Sequence, residues 1–105
     1  MSALIWCPFP DRAEAEKVAS RLLDEKLVAC ANLVDGMTSL YVWHGERGTE
    51  AECGALFKTD AAVLVQAVAR LEELHPYDAP AVMGWRVDAP SAAAAAWLAA
   101  ETGEQ

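Results

Sequence analysis

The sequence predicts a single α+β domain over residues 1–105, with elements in the order β-α-β-β-α-β and one further helix at the end. Short apolar runs alternate with segments whose apolar residues recur at helical spacing. A long strand-rich stretch in the middle, broken by turn residues, indicates a long β-hairpin. The chain has 105 residues, 54% of them hydrophobic, which suits one core and leaves no room for a second domain. The first six elements match the split βαβ motif, so we expect a ferredoxin-like sandwich with an antiparallel sheet.

The first strand and the first helix follow from residues 3–24. Residues 3–7 form an apolar run that Pro8 and Pro10 are expected to close, which predicts a buried strand. Asp11 stands in the N-cap position of the next segment. The apolar residues of that segment recur at helical spacing and are Ala15, Val18, Ala19, Leu22 and Leu23. The pattern predicts an amphipathic helix.

The middle of the chain predicts the hairpin. Residues 27–44 are strand-like, with an interruption at Asp35 and Gly36, and residues 44–48 form a turn. The apolar residues of the returning strand alternate and are Ala51, Cys53, Ala55 and Phe57. This alternation predicts one buried face.

The last third predicts a helix, a strand and a helix. Asp60 caps the second helix, which must end near His75 because Pro76 disfavours helical geometry in the residue before it. Its predicted inward residues are Leu64, Val65, Val68, Leu71 and Leu74. Residues 81–87 predict a strand, and Ser91 caps an alanine-rich third helix.

Charge and cysteine usage exclude several classes of partner. The formal net charge is −8 and the eight Lys and Arg residues are scattered, so we expect neither nucleic acid nor an anionic membrane as a partner. Cys7, Cys30 and Cys53 are an odd number without CxxC spacing, which favours a reducing compartment and a cytoplasmic location. We expect Cys30 and Cys53 to be core residues. No signal peptide and no apolar run of membrane-spanning length is expected.

The predicted hairpin is long for its domain. Strands of about 12 to 16 residues at ~3.3 Å per residue reach roughly 40 to 50 Å. A compact domain of this length has a radius of gyration near ~13 Å. The hairpin is therefore expected to protrude and to pair with sister chains, unless it bends at Gly36 and folds back over its own sheet.

Five segments resemble the CutA divalent-cation tolerance family, in the family's order and over nearly the whole chain. They are Cys7-Pro8 with Asp11, ACAN at 29–32 (family AACxN), TSLYVWHG at 38–45 (family TSxYxWxG), KT at 58–59 and HPYDAP at 75–80 (family HPYxxP). The resemblance implies a ferredoxin-like homotrimer whose hairpins wrap adjacent subunits. It implies a role in tolerance of copper and other divalent metals, and no established catalytic activity. The architecture also resembles the trimeric PII-type signalling proteins.

The resemblance further implies a copper site that uses Cys7 and His75. Copper or another divalent metal is the only cofactor it suggests, and a thiolate suits Cu(I) or Zn. The predicted topology places the end of the first strand and the end of the second helix at one edge. Leu74 and Ala81 stand where some members carry a further His and a Glu, so the site is depleted in this chain. The structural alternatives are a buried hydrophobe at Cys7 and a ring that closes the helix at His75.

A second group of candidates is Tyr41, Trp43, Lys58 and Tyr77. An ammonium group beside aromatic rings suits a small anionic ligand, which in this fold would lie in a cleft between subunits. The alternative is interface packing, with Lys58 paired to a carboxylate. An enzyme is not expected, because a Cys7–His75 nucleophile pair lacks a third orienting group and residues 7–10 lack a phosphate-binding loop. Two functions therefore stay open, a trimeric metal-response protein and a PII-like sensor of a small anion.

Overall fold

The computed structural model describes residues 1–103, and residues 104 and 105 of the predicted domain lie outside the described residues. The elements are β1 (Ser2–Phe9), α1 (Arg12–Asp24), β2 (Cys30–Trp43), β3 (Glu46–Asp60), a 3₁₀ turn (Ala61–Val63), α2 (Leu64–Leu74), β4 (Met83–Arg86) and α3 (Ala92–Glu101). The four strands form one antiparallel sheet in the order β2-β3-β1-β4. This order is that of the split βαβ motif, which confirms the predicted ferredoxin-like fold. No helix within residues 1–103 is long and apolar enough to cross a membrane.

The central strand β1 carries the core on one face. It pairs with β3 from Ser2 opposite Asp60 to Phe9 opposite Cys53. Successive side chains of a strand point to opposite faces. The odd-numbered residues of β1 face the helices and have no exposed surface; they are Ala3, Ile5, Cys7 and Phe9. Together with α1 and α2 they form the hydrophobic core.

The sequence predicted that Pro8 ends the first strand, and this prediction is wrong. Pro8 lies inside β1, opposite Gly54. The reason is that β4 pairs with β1 only as far as Trp6. At Pro8, β1 therefore has one neighbouring strand, and a proline is tolerated where its missing N–H would face an empty edge.

Side chains cap α1, the 3₁₀ turn and α3 at the predicted residues, whereas α2 itself has no side-chain cap, because the 3₁₀ turn separates it from Asp60. Asp11 accepts the N–H of Glu14 at 2.9 Å. Asp60 accepts the N–H of Ala62 at 2.9 Å, at the start of the 3₁₀ turn that precedes α2. The Ser91 hydroxyl accepts the N–H of Ala94 at 3.1 Å. Each cap satisfies a backbone donor that the helix itself leaves unpaired.

The inward face of α2 differs from the prediction at one position. Leu71 and Ala67 are fully buried, whereas Val65, predicted to face inward, is 82% exposed. The side of α2 that faces the core carries Leu64, Ala67 and Leu71 and forms a buried stripe. Val65 lies about 100° round the helix from Leu64, outside this stripe. The missed core residue, Ala67, occupies that stripe.

The hairpin extends beyond the rest of the sheet. We call residues 37–43 and 46–52 the arm. The pairing of β1 with β3 stops at Cys53, and a bulge between Val34 and Met37 interrupts the β2–β3 register at the same level. The arm closes in a two-residue turn at His44 and Gly45, both with positive φ, and this turn is shorter than the predicted one. The arm does not fold back over the sheet, and the molecule measures 43 × 26 × 23 Å.

The second face of the sheet, which we call the open face, is apolar. Its residues alternate with the core residues and include Leu4, Trp6, Val34, Leu56, Met83 and Trp85. Val34 is 50% and Trp85 45% exposed. Cys53 is buried in the core as predicted, but Cys30 lies on the open face and is only partly buried, which corrects that prediction.

Candidate functional site

The two predicted metal ligands, Cys7 and His75, both contact the backbone carbonyl of Pro8. Cys7 precedes it on β1, and its thiol donates to the Pro8 oxygen at 3.5 Å. His75 is the C-cap of α2, and its Nε2 lies 2.9 Å from the same oxygen. A carbonyl oxygen has two lone pairs and can accept both donors. The structure thus brings Cys7 and His75 to one edge of the sheet, around a shared acceptor.

The hydrogen bonds of His75 define its protonation state. Because the Pro8 carbonyl can only accept, Nε2 carries a proton. Nδ1 accepts the N–H of Tyr77 at 3.1 Å, so it carries none. The ring stacks on Phe9 with centroids 4.4 Å apart and contacts the Tyr77 ring at 4.8 Å. Burial lowers the pKa of His75, although the bond to Pro8 and the charge of Glu52 oppose this. The neutral Nε2–H tautomer is therefore the form that fits the site.

Cys7 holds its proton. The side chain is fully buried, and this burial, with a smaller contribution from the charge of Glu52, raises the pKa of the thiol to about 12. The thiolate is the form that ligates metals and attacks electrophiles. At neutral pH, Cys7 is thus a neutral thiol inside the core.

Glu52 lies next to this pair and was not predicted as a site residue. Its carboxylate accepts the Tyr77 hydroxyl at 2.7 Å. Burial and this carboxylate raise the pKa of Tyr77. Glu52 is twenty-five residues away from Tyr77 in the chain, and its position in the sequence gave no sign of the contact.

The four cleft candidates do not meet within one chain. Tyr41 lies on the arm and donates to Glu50 at 3.4 Å, near Tyr77. Trp43 lies at the tip of the arm, with its ring 4.7 Å from that of His44. Lys58 lies six residues along β3 from Glu52, which is roughly 20 Å. Only a neighbouring chain could bring Lys58 to the tyrosines.

Lys58 is partly buried on the open face. Its cross-strand neighbours are Leu4 and Cys30. Within residues 1–103 no carboxylate forms an ion pair with it, and the alternative of interface packing with a carboxylate stays a prediction. The ammonium group is therefore available to a ligand or to another chain.

The arrangement around Pro8 does not fit a divalent metal ion. A metal at Nδ1 of His75 would displace the Tyr77 N–H, and a metal at Nε2 would displace the bond to Pro8. Among residues 1–103, no three His, Cys, Asp or Glu side chains are grouped closely enough to hold a metal. Leu74 packs against the core and Ala81 is exposed, so neither position adds a ligand. Metal binding by Cys7 and His75 stays a prediction.

Comparison with known proteins decides the family. Residues 3–101 match the family described as CutA1 divalent ion tolerance protein. The chain belongs to this family. The divalent-cation tolerance protein CutA of Pyrococcus horikoshii is 39% identical over 99 residues, which cover 94% of this chain and 96% of that protein.

Solved structures of family members have the same fold. The crystal structure of divalent ion tolerance protein CutA1 from Ehrlichia chaffeensis has a TM-score of 0.92 at 29% identity, over 98% of this chain and 96% of that one. The periplasmic divalent cation tolerance protein CutA from Archaeoglobus fulgidus has a TM-score of 0.90 at 25% identity, over 96% and 98% of the two chains. Family membership therefore rests on both sequence and fold.

Proposed function

We propose that this protein acts in divalent-cation tolerance as a homotrimer, in which the open faces and arms of three copies cover one another. The observation that supports assembly is the apolar open face together with the protruding arm. The number three is the one that the family resemblance implies. The proposal includes a cytoplasmic location, which three free cysteines support, although one relative is described as periplasmic.

The surface of the isolated chain is large for its mass. A compact monomer of this mass exposes about 5,700 Å² by the scaling of surface with mass. This chain, of 11.3 kDa, exposes 6355 Å² and has a radius of gyration of 14.1 Å. The excess fits a subunit whose arm and open face are covered in an assembly.

We propose that the role is not enzymatic. A nucleophilic cysteine needs a thiolate and a base with a free lone pair. Here the Cys7 thiol keeps its proton, because burial raises its pKa to about 12. The Nδ1 lone pair of His75 is taken by the backbone of Tyr77. The pair therefore lacks the activation that such chemistry requires.

Two exposed valines give a matched test of assembly. Val34 lies on the open face, and Val65 lies on the outer side of α2. We expect wild-type protein and Val65→Glu to have the mass of a trimer by light scattering. Val34→Glu places a charge in the interface and should have the mass of a monomer. A wild-type mass near 11.3 kDa at micromolar concentration would rule out the assembly.

The same variants test the function in cells. In a strain that lacks its own family member, the wild-type protein and Val65→Glu should restore growth at toxic copper, zinc or cobalt concentrations. Val34→Glu should not, provided that it is folded by circular dichroism. Equal rescue by a folded, monomeric Val34→Glu would show that tolerance does not need assembly.

A small anion bound between subunits is a second candidate function, and it is favoured because Lys58 has no counter-ion among residues 1–103. We expect small anionic metabolites to raise the melting temperature of the wild-type protein. This stabilisation should be lost in Lys58→Ala and kept in Lys26→Ala. Lys26 is the matched control because it lies in the α1–β2 connection, away from the open face. If no metabolite in such a screen stabilises the protein, the anion-binding function is ruled out and divalent-cation tolerance is the one proposed function that remains.

A further inference from the structure

The root of the arm, at residues 34–37 of β2 and 52–53 of β3, is where the sheet narrows to two strands. At this level β1 ends its pairing with β3, opposite Cys53. The bulge leaves Asp35 and Gly36 outside the β2–β3 register. Beyond it the arm has only two strands, and an isolated two-stranded hairpin is marginally stable in water. In a single chain, its direction therefore depends on side chains that hold the root.

Two side-chain hydrogen bonds hold the root, one on each strand. On β2, Arg12 of α1 donates to Asp35 at 3.2 Å, between side chains that are both more than half exposed. On β3, the hydroxyl of Tyr77 donates to Glu52 at 2.7 Å. The Arg12–Asp35 ion pair joins two largely exposed side chains and contributes little, whereas the Tyr77–Glu52 bond is shorter and its carboxylate is partly buried. The tether on β3 is thus the more important of the two.

His75 holds Tyr77 in place. Its Nδ1 accepts the Tyr77 N–H at 3.1 Å, and its ring contacts the Tyr77 ring. Its Nε2 donates to Pro8 at 2.9 Å. A continuous chain of hydrogen bonds, which we call the His75 bridge, thus runs from Pro8 through His75 and Tyr77 to Glu52.

The bridge and a metal compete for the same two nitrogen atoms. The neutral Nε2–H tautomer makes both bonds, and a metal at either nitrogen replaces one of them. We propose that His75 is a positioning residue that fixes the root of the arm through Tyr77, and that it is not a metal ligand in the folded chain. The inference deepens the proposed function, since it identifies what orients the arm that the assembly uses.

Amide hydrogen exchange of the full chain tests the bridge. In Tyr77→Phe and in His75→Gln, the amides of residues 37–52 should exchange about 3- to 10-fold faster, the effect of losing one hydrogen bond. The amides of β1 should not change. Tyr41→Phe is the matched control: its 3.4 Å bond to Glu50 joins the two strands within the arm and does not involve Tyr77, so exchange next to residues 37 and 52 should stay as in the wild-type protein. The double variant, His75→Gln with Tyr77→Phe, should exchange at the same rate as His75→Gln alone, because the loss of one hydrogen bond already interrupts the bridge.

Copper(I) titration of the reduced protein tests the second half of the proposal. His75→Gln should bind with an affinity within 2-fold of the wild-type protein. A tenfold loss of copper affinity in His75→Gln, or unchanged arm exchange in Tyr77→Phe, would overturn the proposal. If His75→Gln does not fold, exchange in Tyr77→Phe decides whether the bridge positions the arm, and His75→Asn replaces His75→Gln in the copper titration. A wild-type monomer would disprove the assembly but leave the exchange experiment valid.

Discussion

At the scale of single residues, the closest fit in the sheet is between Trp6 and Gly54. A Cβ built on Gly54 would overlap the end of the Trp6 indole, with the Cζ2 atom 2.9 Å away and the Met37 sulfur 3.2 Å away. The indole therefore lies directly over the backbone of β3 at Gly54. Any residue with a Cβ at this position would collide with the ring. Gly54 is buried and pairs with Pro8 on one side and Val34 on the other, so an added methyl group fits only if Trp6 or Met37 shifts.

We predict that Gly54→Ala lowers the free energy of unfolding by about 1–3 kcal/mol, the usual cost of overpacking. In a Trp6→Leu background the same substitution should cost less, because the shorter side chain leaves room for the methyl group. Urea unfolding of the four proteins measures the coupling. Equal costs in both backgrounds would show that the strain does not come from Trp6.

His75 predicts a pH dependence of stability. Burial lowers its pKa in the folded chain, so the unfolded chain binds more protons as the pH falls. Its contribution is fully present above the unfolded pKa of about 6.5 and is lost as the pH falls through the lower, folded pKa. We expect the wild-type protein to lose more stability than His75→Gln between pH 7.5 and pH 5.5, measured by urea unfolding. The other histidine, His44, is exposed and common to both proteins. Parallel losses would show that His75 does not titrate differently in the two states.

At the scale of elements, α2 shows how an apolar residue can be misplaced by pattern alone. Leu71 is fully buried and Val65 is 82% exposed on the same helix. Leu71→Ala should lower the free energy of unfolding by about 2–5 kcal/mol, because it leaves a cavity in the core. Val65→Ala should change it by less than about 0.5 kcal/mol in the monomeric Val34→Glu background, as expected for a surface position. A large effect at Val65 would contradict its placement on the solvent-exposed side of α2.

The elements themselves were largely predictable, because their signals are local. The caps at Asp11, Asp60 and Ser91 are read from residues within one helical turn and all form. The strand order follows from the order of the elements. The continuation of β1 through Pro8 was missed, since it depends on where the neighbouring strand β4 stops. Tertiary pairing decides such boundaries, and one sequence does not display it.

The candidate site was predictable only in outline. Topology correctly placed Cys7 and His75 at one edge, but the acceptor between them is a backbone oxygen, which no residue type reveals. The contact between Tyr77 and Glu52 joins a loop to the root of the arm. Such a contact depends on side-chain reach across the fold, so sequence spacing could not predict it.

At the scale of the whole molecule, charge and apolar surface act in opposite directions on assembly. Each chain carries a formal charge of −8, and a trimer carries three times that charge. Repulsion among acidic subunits opposes association, and salt screens it. Burial of the apolar open face favours association and does not depend on charge.

Ionic strength therefore distinguishes the two forces. Raising NaCl from 0.1 M to 1 M shortens the screening length from about 10 Å to about 3 Å. If the open face drives assembly, this change should tighten it, and sedimentation of dilute protein should show fewer free subunits at 1 M NaCl. Val34→Glu serves as the monomer reference at both concentrations. Weaker assembly at high salt would instead mean that ion pairs between chains dominate. Lys58, which has no ion-pair partner among residues 1–103, would then be the first residue to replace.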